Sequence, residues 1–282
     1  MGKTNWKLTL AYDGTEFHGW QIQQDALTTP TVQGALADAI HAVTGERVLP
    51  QGSGRTDAGV HAAAQGASFF LGAAIPAENF QRALNRVLPA AIRILHAEPV
   101  AADFHARHSA IGKVYRYRIF YGRVCSPFLA RYVAVSRWPL DLIAMQSAAQ
   151  AIPGEHDFTS FAAFDPDRAA RWQNDEKDFV GANIRRIDAS QWSRAALARS
   201  AADPFTEFEV GEEDSAGEIF TYTVRGNGFL HHMVRNLVGT FIEVGRGRLA
   251  PAAMAEILAA RDRALAGPTA PAKGLCLVKV LY

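Results

Sequence analysis

The stretch GSGRTDAGVHA, Gly52 to Ala62, sets an arginine and an aspartate two residues apart inside a frame of three glycines. A loop that only reverses the chain needs no arginine, and a salt bridge alone needs no glycines. Glycine admits backbone conformations that other residues resist, and it lets a substrate come close. The stretch is not a phosphate cradle of the usual kinds. It lacks Gly-x-x-x-x-Gly-Lys-Ser/Thr, and the third glycine of Gly-x-Gly-x-x-Gly would fall on residue 57, which is the aspartate. If the segment is extended, Arg55 and Asp57 point to the same side. A guanidinium beside a carboxylate keeps it charged and fixes its orientation. An oriented, partly desolvated carboxylate is a competent nucleophile at an electron-poor carbon. The competing reading is an Arg–Asp pair that staples a tight turn.

Outward from this loop, strands and helices alternate. KLTLAYDG has period-two character and ends in a turn signal, which predicts a strand. TTPTVQGALADAIHAVTG carries a capping Thr, apolar residues at helical spacing and Gly45 at its end, which predicts a helix. Glu46 to Phe70 reads as strand, glycine-rich loop, strand. PAENFQRALNRVLP is a second helix between Pro76 and Pro89. KVYRYRIFYG predicts a strong strand with Lys113, Tyr115, Tyr117 and Ile119 on one side. Val114, Arg116, Arg118 and Phe120 take the other. DLIAMQSAAQAIPG predicts a helix, Asp165 to Ala182 an exposed loop, and strands follow near 183–190, 205–210 and 219–225. FLHHMVRNLVGTFIEVG and PAAMAEILAARD predict helices, the first placing His231 and Arg235 on one side, four residues apart. GLCLVKVLY predicts a closing strand. The same order of strands and helix occurs twice. The fold class expected is α/β with a mixed sheet: two similar lobes sharing it, with a cleft between them. The lobes are expected at 1–108, carrying the aspartate loop, and at 109–282.

Bulk properties narrow the function. The 282 residues allow one or two domains and a sizeable core. No apolar run approaches the ~20 residues of a membrane span, and the opening MGKTNWKLTLAYDG lacks the apolar core of a signal peptide. Cys125 and Cys276 match no metal or redox spacing and read as reduced thiols in a cytoplasmic protein. His231 and His232, being adjacent, make a poor metal pair, so no metal is expected. Net charge is +1, yet the charges are segregated. Ala101 to Leu140 holds seven Lys or Arg residues against Asp103 alone, and Asp203 to Glu218 holds seven acids and no base. Segregation of this kind gives one face a positive field on a nearly neutral molecule. A basic, aromatic strand beside a carboxylate loop suits RNA, which is bound through phosphates and stacked bases. Arg107, Lys113, Arg116 and Arg118 are the candidate phosphate contacts, although alternation lets only some of them face one site. Phe158 and Phe161 in GEHDFTSF read as core, and Phe17 and Trp20 as scaffold.

GRTDAGVHA resembles the signature of the anticodon-arm branch of transfer-RNA pseudouridine synthases, the synthase A family. The resemblance rests on further motifs in family order: YDGTEFHGWQ, TVQG, NRVLP, DFHARHSA, KVYRY, GEHDFTSF, NGFLHHMVRNLVG and APAKGLCLVKVLY. It covers almost the whole chain. It implies the pseudouridine synthase fold and isomerisation of uridine to pseudouridine at positions 38 to 40 of the anticodon stem-loop. It implies Asp57 as nucleophile and Arg55 as the group that pairs with it and helps expel the base from its stack. It also implies Tyr115 stacked on the flipped base and removing the C5 proton, and Arg235 pairing with the carboxylate or a phosphate. No cofactor is implied; a homodimer is. Ala64 stands where the family often has Gly, Ala90 or Ala91 where it has an acid, and 165–182 is longer than usual. Two rivals remain at this level. One is an RNA-binding protein on the same scaffold without catalysis, and the other is a hydrolase using Asp57 and His156.

Overall fold

The structure is a computed structural model that describes residues 2–22, 30–164, 183–198 and 215–282. The chain folds as mixed α/β in two compact units. One is formed by residues up to Val114 with Cys276–Tyr282, the other by Tyr115–Leu275.

In the first unit, β1 (Thr4–Tyr12) buries every second residue, Trp6, Leu8, Leu10 and Tyr12. That period is why it is a strand. It runs antiparallel to β3 (His61–Leu71) and to β4 (Ile92–Val100), with Leu8 opposite both Ala67 and Ala97. The short β2 (Gln51–Gly52) pairs with β3, and β10 (Leu275–Leu281) joins β3 in parallel at Cys276–His61. The order is therefore β4-β1-β3-β10. Two helices pack against each other: α1 (Val32–Thr44) and α2 (Ala77–Val87). Thr31 Oγ1 accepts the Gly34 N–H to open α1, and Gly45, at φ 76°, closes it. Trp6, Phe69 and Phe80 form an edge-to-face stack where α2 meets the sheet.

In the second unit, which β5 (Gly112–Tyr121) enters at Tyr115, that strand leads an order β5-β9-β8-β7. These strands are β7 (Gly154–Asp157), β8 (Ile184–Ala198) and β9 (Ser215–Gly226), antiparallel from β7 to β9. The short helix α3 (Pro127–Ala130) precedes β6 (Ala134–Ser136), which lies parallel to β5. Three longer helices follow: α4 (Leu142–Ala149), α5 (Met233–Gly245) and α6 (Ala253–Ala260). Phe241 of α5 meets Trp192 and Tyr222, opposite one another on β8 and β9. Phe158 and Phe161 are fully buried, as read from the sequence. Phe120 is buried too, beneath Leu129 and Val133, although Arg116 on its side of the strand is exposed.

One expected helix is corrected. The pattern from Phe229 predicts a helix that pairs His231 with Arg235, but α5 begins at Met233 and His232 stands before it at φ 57°. A left-handed residue ends any helical run upstream of it, so His231 and Arg235 share no helix face. The strands foreseen at 183–190 and 219–225 are longer, and the one before the glycine loop is only two residues. The strand foreseen at 205–210, the loop at 165–182 and most of the acidic run lie outside the described residues.

Candidate active site

In the first unit, the loop of interest connects β2 to β3 and is pinned from below. Thr56 is buried, and its hydroxyl meets the buried phenol of Tyr12 at 2.8 Å. The Thr56 carbonyl accepts the Trp20 N–H at 3.0 Å. Gly19, at φ 83°, passes so close that a Cβ there would strike this carbonyl and the Asp57 backbone. With Thr56 turned inward, its neighbours turn outward: Arg55 is exposed and Asp57 half-buried. The Asp57 carbonyl then accepts the Val60 N–H at 3.1 Å, closing a turn in which Gly59 adopts φ 77°. Trp20 and Phe17 lie beneath this turn, both buried.

The approach to the loop is held by one buried amide. Gln65, on β3, accepts the Ser53 hydroxyl at 2.5 Å and donates to the Gly54 carbonyl at 2.9 Å. Gln65 has no exposed surface, and such a group survives burial only when its hydrogen bonds are made. The next glycine makes room for a cation. A Cβ at Gly54 would lie 2.8 Å from the Lys113 ammonium, so Lys113 stands directly over the loop. His61 accepts the Gly14 N–H at Nδ1, 3.1 Å away, and so holds the Asp13–Gly14 turn next to Val60. Arg107 is exposed in a turn anchored by Ala106 N–H to Ser68 Oγ, 2.9 Å. Thus Arg55, Asp57, Lys113 and Arg107 belong to the first unit, and Lys113 and the aspartate loop are brought together there.

In the second unit, Tyr115 is buried on β5 and meets Phe229 edge to face, centroids 5.0 Å apart. Tyr117 is fully buried and donates its hydroxyl to the Pro271 carbonyl at 2.7 Å; burial pushes its phenol well above the usual range. On the other side of the strand, Arg116 is exposed and Arg118 half-buried, its guanidinium held below its ordinary value by burial and then by Arg116. Arg235, in the first turn of α5, donates Nε to the Ala270 carbonyl at 2.8 Å, while its own carbonyl accepts the Ala270 N–H. His156, which the hydrolase reading pairs with Asp57, is engaged locally, as is its neighbour Asp157. His156 Nε2 meets the Pro153 carbonyl at 3.1 Å, and Asp157 accepts from Thr159.

Comparison with known proteins places the chain in a family. The pattern of the family described as tRNA pseudouridine synthase matches residues 9–109 and 148–282. A tRNA pseudouridine synthase A of Moorella thermoacetica is 46% identical over 276 residues, covering 98% of both chains. One from Solibacter usitatus is 45% identical, also over 98% of both, and one from Brevibacillus brevis is 42% identical over the same shares. The chain belongs to the tRNA pseudouridine synthase family.

As a pseudouridine synthase, the chain is an isomerase. The matched segments contain the aspartate loop, Arg107 and Arg235, and leave Tyr115, Arg116 and Arg118 in the unmatched interval. No helix among the described residues is long and apolar enough to cross a membrane. Sequence reading singled out the charged residues of the site and passed over their supports, Tyr12, Gly19 and Gln65. Tyr12 and Gly19 lie in the motif YDGTEFHGWQ, and Gln65 is the one amide in the run HAAAQGASFFL. The Tyr12–Thr56 contact joins residues 44 apart, and nothing local announces it.

Proposed function

We propose that this synthase converts uridine to pseudouridine at positions 38 to 40 of the anticodon stem-loop of transfer RNA. The observation that carries the reading is the loop itself: Thr56 is tied inward to Tyr12, and the cation and carboxylate on either side of it are turned out. Asp57 acts as nucleophile on the target uridine, and the N1–C1′ bond breaks. The uracil turns while held, C5 bonds to C1′ as the bond from Asp57 to the substrate breaks and frees the carboxylate, and the C5 proton leaves while N1 gains one, so the product is an isomer of the substrate. Tyr115 stacks on the extruded base and takes the C5 proton. Arg55 orients Asp57 and helps displace the base, a step that costs a few kcal/mol in a duplex. Arg235 pairs with the carboxylate or a phosphate, and Arg107, Lys113, Arg116 and Arg118 supply phosphate contacts. The chemistry calls for no cofactor and no metal. The enzyme acts in the cytoplasm as a homodimer, one RNA lying across both subunits.

The test uses unmodified anticodon stem-loop RNA, wild-type protein and Asp57→Ala, with pseudouridine mapped by carbodiimide adduct stops. Wild type is expected to give stops at 38 to 40 and Asp57→Ala none. Stops with Asp57→Ala would remove Asp57 as nucleophile, and stops elsewhere in the RNA would remove the positional assignment.

A further inference from the structure

We propose that the surface of the second unit around Trp138 is a separate RNA-docking face, which holds a nucleotide of the transfer-RNA body outside the anticodon arm. The proposal rests on the tRNA-modifying reading above. Between Phe104 and Leu140 the chain carries seven Lys or Arg residues and no acid. Part of that charge supports the proposed chemistry, but Arg137 and Trp138 play no part in it. Trp138 is 54% exposed, a large apolar area for a side chain with no structural need of water. Its backbone is tied to Ser136, whose Oγ accepts the Trp138 N–H at 3.2 Å and donates to the Trp138 carbonyl at 2.7 Å. The Arg246 guanidinium stands over the indole, 5.1 Å from the ring centroid.

Two cavities flank the ring. One, of about 290 Å³, is lined by Trp138, Pro139, Arg246 and Arg248. The other, of about 250 Å³, shares Trp138 and Arg246 and reaches Ser136 and Arg137. Glu243 is the carboxylate paired to this group, 3.0 Å from Arg246 and 3.4 Å from Arg248. With Arg137 counted, the three guanidiniums exceed it by two positive charges. An exposed indole with a cation above it and uncancelled charge at its rim fits a stacked base and its phosphates. Neither cavity is lined by a His, Cys or Asp, so the face is built to bind and not to react. Transfer RNA extends well beyond its anticodon arm, so a second basic face finds phosphates on the same molecule.

The experiment compares full-length unmodified tRNA with the isolated anticodon stem-loop, using wild type, Trp138→Ala and Arg248→Ala. For full-length tRNA, KM is expected to rise roughly five-fold or more with Trp138→Ala, kcat being unchanged. With Arg248→Ala the log–log salt dependence of full-length tRNA affinity should flatten by about one. For the isolated stem-loop, neither KM nor the salt slope should move. Unchanged KM and slope for both RNAs would overturn the proposal. Equal losses on both RNAs would overturn it as well, by assigning the face to the anticodon arm. So would a variant that dissociates into monomers in light scattering, since the face would then be a contact between copies. Absence of pseudouridine with wild type would sink the functional reading instead. Filter binding of the two RNAs would still report on the face.

Discussion

Asp57 owes its presentation to Thr56. The Thr56 hydroxyl is satisfied by Tyr12 inside the core, while Arg55 before it is exposed and Asp57 after it is half-buried. Tyr12→Phe keeps the ring and removes the partner. It should cost about 1 kcal/mol in urea unfolding and lower turnover more than it raises KM. Gln65→Leu should be worse, about 3 kcal/mol or more, since it strands the fully buried Ser53 hydroxyl and takes the partner from the partly buried Gly54 carbonyl. A Gln65→Leu protein as stable as wild type would show that the amide does not hold the loop. The sequence made the charged pair legible because Arg and Asp between glycines are chemically conspicuous. It hid the supports, because a phenol in a strand reads as core whether or not its hydroxyl is used.

Elements were legible where one periodicity ran unopposed. α1 carries its cap in Thr31 and its stop in Gly45, and the strand KVYRYRIFYG alternates as written. The start of α5 was not legible, because FLHH has apolar residues at helical spacing while the backbone at His232 is left-handed. Tertiary contacts decide that boundary. In α5, Asn236 is fully buried, donates to the Phe161 carbonyl at 2.8 Å and accepts from Thr269 at 2.7 Å and Arg263 at 3.2 Å. This holds the segment that includes Ala270, the residue bonded to Arg235 on both its N–H and its carbonyl. Asn236→Ala should therefore destabilise by about 2–4 kcal/mol, measured by thermal or urea unfolding. Loss of less than 1 kcal/mol would mean the segment is held by other contacts.

Across the whole molecule, buried phenols set the alkaline limit. Burial pushes Tyr282 up to about 12, and Tyr12, Tyr117 and Tyr222 are driven above the usual range by the same cause. In the unfolded chain tyrosine ionises near ~10. The folded state holds those protons more tightly, so the tyrosine contribution is intact below about pH 10 and is lost as pH climbs from there through about 12. Tyrosinate absorbance and loss of circular dichroism should rise together in that window. Full ionisation of all seven tyrosines before any unfolding would contradict the burial described. The fold class was readable from the doubled order of strands and helices. The pairing of β10 with β3 was not, since it joins Cys276 to His61 across most of the chain.

The most direct measurement is tritium release from tRNA labelled at C5 of uridine, run beside filter binding, for wild type and Asp57→Asn. The amide retains the shape of the carboxylate and loses its nucleophilic charge. Release by wild type, with none from an Asp57→Asn protein that still binds RNA, is the predicted result. Release by Asp57→Asn at the wild-type rate would contradict the assignment of Asp57 as the attacking group.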